Sequence, residues 1–63
     1  MIPKEIVEKL VGVGAYIYIK GINKEFGGIV ESITPDEILI LKDKYNNLSY
    51  IPLSEIDIIT ERR

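Results

Sequence analysis

Apolar and polar positions along this 63-residue chain change period once. From Ile2 to Val11 the apolar residues Ile2, Ile6, Val7, Leu10 and Val11 recur at helical spacing, which predicts a short amphipathic helix. Pro3 suits its first turn, Glu5 and Lys9 form an i,i+4 pair in the favoured orientation, and Gly12 and Gly14 stop it. So short a helix does not persist alone, and its apolar stripe is expected to cover another element, the end of a barrel being the obvious candidate. After Gly14 the period becomes two. Ile17 and Ile19 alternate with Tyr16, Tyr18 and Lys20, predicting a strand over 15–20, and further strands are expected over 26–33, 38–42, 48–51 and 56–60. Gly21–Lys24 reads as the first turn, Thr34-Pro35-Asp36-Glu37 as the second with Pro35 fixing φ, and Asp43–Asn47 as a polar connection. The run 38–42 is almost wholly apolar, as expected for a strand buried on both faces. Gly27-Gly28 is too short to cradle a phosphate and marks a bulge or sharp bend in the second strand. Pro52 cannot donate to a ladder, so the fourth strand stops there and residues 52–55 are expected to make one 3₁₀-like turn. No linker or repeat divides the chain. It reads as one all-β domain, 1–63, with a short N-terminal α-helix and five antiparallel strands closed into a small barrel that hides its edges.

Composition narrows the chemistry. Thirteen isoleucines supply packing and favour strands, yet a chain this short buries only about 60% of its unfolded surface, so a homo-oligomer is the expected reinforcement. Cysteine and histidine are absent, which removes disulfides, thiolate ligands, the usual near-neutral proton shuttle and the commonest metal ligand. Ser32, Ser49 and Ser54 have no histidine to activate them. The acidic pairs Asp36-Glu37 and Glu55…Asp57 sit in turn sequences and read as solvated carboxylates, without a third ligand cluster. No catalytic residue, metal site or cofactor is therefore expected, and the chain is not read as an enzyme. Eight basic and ten acidic residues give a net charge of −2, which argues against a general grip on phosphates but leaves room for a local basic patch. No apolar run approaches the ~20 residues that cross a membrane, and Lys4, Glu5, Glu8 and Lys9 interrupt any signal-peptide core. A cytoplasmic protein with no membrane partner is the expectation.

Topology assigns the charges to ends. In an up-and-down barrel the first and third connections share one end, gathering Lys20, Lys24, Lys42 and Lys44 with Glu25 and Asp43, and Arg62 and Arg63 are expected to reach it. The other end gathers Asp36, Glu37, Glu55 and Asp57. The basic end is the candidate RNA contact, with Tyr16 and Tyr18 on one strand face as a stacking platform for bases. The plainer alternatives are a solvated loop surface and tyrosines that pack as large apolar bodies with polar tips.

Gly28-Ile29-Val30-Glu31-Ser32 in the second strand and Ile38-Leu39-Ile40-Leu41-Lys42 in the third, behind an N-terminal helix, resemble the Sm-like proteins, and most nearly their bacterial Hfq branch. The likeness runs from the helix to Ile59. It implies a strongly bent five-stranded barrel and a ring in which strand four of one subunit pairs with strand five of the next. Tyr50, Ile51, Ile56 and Ile58 are then the expected oligomer interface, and uridine- or adenine-rich single-stranded RNA the expected partner. Some residues depart from the pattern. Ile38 stands where Sm proteins place a base-contacting asparagine. Where Hfq has Tyr-Lys-His-Ala-Ile, Tyr50 is followed by Ile51-Pro52-Leu53-Ser54-Glu55-Ile56, two residues longer and without the lysine and histidine. Contact through the basic end or an inter-subunit groove is expected instead of the usual uridine pocket. The same 51–56 turn resembles the end of PRC-barrel domains, which implies the alternative of a structural or protein-interaction barrel, of coat or scaffold type, that binds no nucleic acid.

Overall fold

A computed structural model describes residues 2–62. The elements run α1 (Lys4–Glu8), β1 (Gly14–Ile19), β2 (Glu25–Ile33), β3 (Ile38–Lys42), β4 (Leu48–Pro52), a 3₁₀ turn (Leu53–Glu55) and β5 (Ile56–Glu61). All strand pairings are antiparallel, in one sheet of order β4-β3-β2-β1-β5. The expected closure is absent from this sheet: β4 and β5 are not paired with one another, so each leaves an edge.

The helix is half its expected length. Pro3 has an extended backbone, and its carbonyl accepts the N–H groups of Ile6 (3.2 Å) and Val7 (3.4 Å) in place of a side-chain cap. Beyond Glu8 single turns carry the chain to Gly12, whose φ of +87° ends the helical path. This breaks the five-residue apolar stripe. Val7 is fully buried and Ile2 and Leu10 pack on the core, while Ile6 and Val11 face out. Two main-chain bonds, Gly12 N–H to the Val30 carbonyl and Val30 N–H to the Val13 carbonyl, fix the segment against β2.

β2 organises the sheet because two strands share it. Its first half pairs with β1 and its second with β3, with Ile29 opposite both Gly14 and Lys42. The ladder slips between Val30 and Ser32, leaving Glu31 as the extra residue. The bulge thus lies three residues past the glycine pair expected to make it. Gly28 answers a different demand: a Cβ there would sit 2.5 Å from the Lys42 carbonyl oxygen. Close approach of two backbones requires glycine at this position.

Inward-facing side chains form one cluster: Val7, Ala15, Ile17, Val30, Leu39, Leu41, Ile51, Leu53 and Ile56. β3 is not buried on both faces, as its apolar run predicted. Leu39 and Leu41 point inward, whereas Ile38 and Ile40 are half-buried on the opposite face. The Thr34–Glu37 turn forms as expected, with Glu37 N–H donating to the Thr34 carbonyl and Ile38 N–H to Thr34 Oγ1. The 3₁₀ turn ties distant parts of the curled sheet together. Leu53 N–H donates to the Glu37 carbonyl, Lys20 N–H donates to the Glu55 carbonyl, and the Leu53 side chain is fully buried between them.

Candidate functional site

β2 is nine residues long, and its two partners are staggered along it, which decides where the basic residues fall. The β1–β2 turn carrying Lys20 and Lys24 adjoins Glu25, whereas Lys42 and the β3–β4 loop lie opposite Ile29. Four residues of strand correspond to roughly 13 Å. The predicted basic end is therefore two separate groups. Lys20, whose N–H bonds to Glu55, lies against the turn assigned to the acidic end. β5 starts beside Ile19 and finishes beside Ala15, so Arg62 arrives at Gly14, the far end of β1 from Lys20. Arg63 lies outside the described residues.

Arg62 joins the second group. Its N–H donates to the Gly14 carbonyl (2.8 Å) and its guanidinium lies over Gly14, where a Cβ would come within 2.9 Å of it. Gly14, Ile29 and Lys42 are successive partners across three strands and so share one face of the sheet. There a cleft of about 370 Å³ is lined by Gly27, Gly28, Ile29, Lys42, Asp43, Lys44, Tyr45 and Arg62. Lys42 Nζ is 3.6 Å from Glu31, a half-exposed pair worth little in water. Lys44 Nζ stands 5.2 Å from the centre of the Tyr45 ring, which is 71% exposed.

The loop that presents these groups is held by Asp43. Its carboxylate accepts the N–H groups of Tyr45 (2.8 Å) and Asn47 (2.9 Å), and its own N–H donates to the Asn47 carbonyl. Asn46 takes the left-handed conformation, φ +67°, which asparagine tolerates well. The one carboxylate among the described lining residues is thus engaged by main-chain amides. Asp43 as loop organiser and Gly14 as the rest for Arg62 were missed in the sequence. The spacing of Asp43 to Asn46-Asn47 could have signalled the first; no local pattern signals the second.

Tyr16 and Tyr18 do lie on one strand face, but both are occupied. The Tyr16 ring covers Gly27, leaving 3.3 Å for a Cβ, and the Tyr18 hydroxyl donates to Glu25 at 2.5 Å. That bond holds the Tyr18 phenol above its ordinary pKa, with lesser contributions from desolvation and the nearby charges of Glu25 and Tyr16. Lys24 stands 5.1 Å from the Phe26 ring. Of the expected interface residues, Tyr50 and Ile58 are 63% and 52% exposed, while Ile51 and Ile56 place their side chains in the core and offer an edge only their main chain. A second, smaller cleft of about 240 Å³ is lined by Asp36, Glu37, Pro52 and Ser54 and is acidic. Among the described residues no group of three or more acidic side chains is placed to hold a metal ion, and no helix is long and apolar enough to cross a membrane. Compared with protein-family models, curated proteins and solved structures, the chain has no match.

Proposed function

We propose that this chain is a non-enzymatic, Sm-like and most nearly Hfq-like module of the cytoplasm that assembles with copies of itself and binds single-stranded RNA. The observation that carries the reading is the cleft beside Gly27 and Gly28 where Lys42, Lys44 and Arg62 stand near the exposed Tyr45 ring. Cations neutralise phosphate, and an exposed ring accepts a base regardless of its sequence. Assembly joins β4 of one subunit to β5 of the next, completes a strongly bent barrel wall, and repeats the cleft around a ring. The two unpaired edges at the ends of the strand order support this step. Lys20 and Lys24 then serve as a separate, outlying phosphate contact, and the acidic cleft at Asp36 and Glu37 is not used by RNA.

A second reading is favoured by a different observation. Leu48, Tyr50 and Ile58 are large, apolar and exposed on the two edge strands, as a structural or protein-interaction module would require. Titration of labelled oligo-U and oligo-A across a salt series separates the two. RNA binding predicts saturable binding at low salt that falls log-linearly as salt rises. Absence of binding at low salt overturns the RNA reading and leaves the interaction module.

A further inference from the structure

The cleft between Gly27–Gly28 and the β3–β4 loop has the dimensions and chemistry of a pocket for one small ligand, as well as of a track for a strand. Its volume of about 370 Å³ lies within the range of about 300–1,000 Å³ typical of small-molecule sites. Its cations arrive from separate elements: Lys42 from the end of β3, Lys44 from the loop and Arg62 from beyond β5. Arg62 makes no ion pair among the described residues, and Gly14 beneath it allows the guanidinium to lie across the sheet. A planar fork so placed matches the paired oxygens of a phosphate. Asp43 is the one carboxylate among the described lining residues, and its Oδ1 accepts the amides of Tyr45 and Asn47. Glu31 stands 3.6 Å from Lys42 Nζ, a half-exposed pair that a phosphate would have to displace. Tyr45 adds an exposed ring at the same rim, one side of which carries Lys44.

We propose that this cleft binds a single nucleotide unit, with its phosphate held by Arg62 and Lys42 and its base stacked on Tyr45. The inference deepens the RNA reading and rests on it for the source of the nucleotide, since a free nucleoside monophosphate and one residue of an RNA strand offer the same chemistry.

The test follows amide shifts of the full chain by NMR as UMP, AMP, adenosine or inorganic phosphate is added, with oligo-U and oligo-A in parallel. The expected result is saturable binding of AMP or UMP at millimolar concentration or below, about 4 kcal/mol at 1 mM. Shifts should centre on Gly27, Gly28, Tyr45 and Arg62. Adenosine and phosphate alone should each bind about tenfold more weakly. Arg62→Gln, at an exposed position outside the core, should weaken AMP about tenfold. Tyr45→Ala should abolish the advantage of AMP over phosphate. Binding of phosphate as tight as that of AMP, shifts centred elsewhere, or unchanged affinity in Arg62→Gln would each overturn the proposal. If oligonucleotides bind but Arg62→Gln leaves their affinity unchanged, this site is wrong and the RNA reading stands. If nucleotides fill the cleft and no oligonucleotide binds, the RNA reading fails and the site stands as one for a free nucleotide.

Discussion

Single residues set how closely neighbouring strands approach. Gly28 is the sharpest case, because an added methyl would meet a carbonyl oxygen of the neighbouring strand, which cannot rotate away as a side chain would. Gly28→Ala should destabilise the fold by about 1–3 kcal/mol, the cost of overpacking, read as a lower denaturation midpoint with an unchanged slope. The paired glycines were visible in the sequence, but the partner strand that makes one of them necessary was not. Tyr18 makes a second, milder prediction. Its neutral phenol donates to Glu25, so its folded pKa lies above the unfolded value near 10. The resulting stability is fully present below about pH 10 and is lost as pH rises through the higher folded value. A spectrophotometric titration should find a tyrosine ionising later in the folded protein than in the unfolded chain, and Glu25→Gln should bring it back towards the unfolded value. A titration unchanged by Glu25→Gln would remove the contact as the cause.

Elements show how far periodicity carries. Alternation located all five strands to within a residue or so, and Thr34-Pro35-Asp36-Glu37 correctly marked its turn. Helical periodicity did less well. It counted Ile6 and Val11 as equals of Val7, but α1 spans five residues and the turns after Glu8 swing the later positions away. Val7→Ala should therefore cost about 2 kcal/mol, as a buried truncation, whereas Ile6→Ala should fall within about 0.5 kcal/mol. Equal losses in thermal or denaturant unfolding would mean that the whole stripe is docked. In the β3–β4 loop, Asp43→Ala removes the acceptor of two main-chain N–H groups and should cost about 1 kcal/mol, with Asp43→Asn retaining most of it. The apolar run at 38–42 misled in another way. Composition could not distinguish a strand buried on both faces from one whose outer residues, Ile38 and Ile40, lie half-covered on an apolar outer surface.

At the scale of the molecule, the stagger along β2 matters more than any count of charge. A schematic barrel puts alternate connections at common ends, and by that scheme Lys20, Lys24, Lys42, Lys44 and Arg62 form one group. Sharing a nine-residue strand between two partners separates them, and the antiparallel return of β5 delivers Arg62 to the second group alone. Register of this kind follows from a bulge at Glu31 and a close contact at Gly28, both tertiary facts that a pattern of two cannot encode. The sheet also ends in two strands, each with one unpaired edge, that carry Leu48, Tyr50 and Ile58, and an exposed apolar edge is a template for further pairing. In the proposed assembly these edges pair between copies, so that the chain is a subunit and the cleft a repeated feature. The mass of the native protein at micromolar concentration, by light scattering or native mass spectrometry, tests this most directly. A discrete multiple of 7.2 kDa that falls apart when Tyr50 and Ile58 are changed to lysine is the result predicted. A stable 7.2 kDa monomer at that concentration would contradict it.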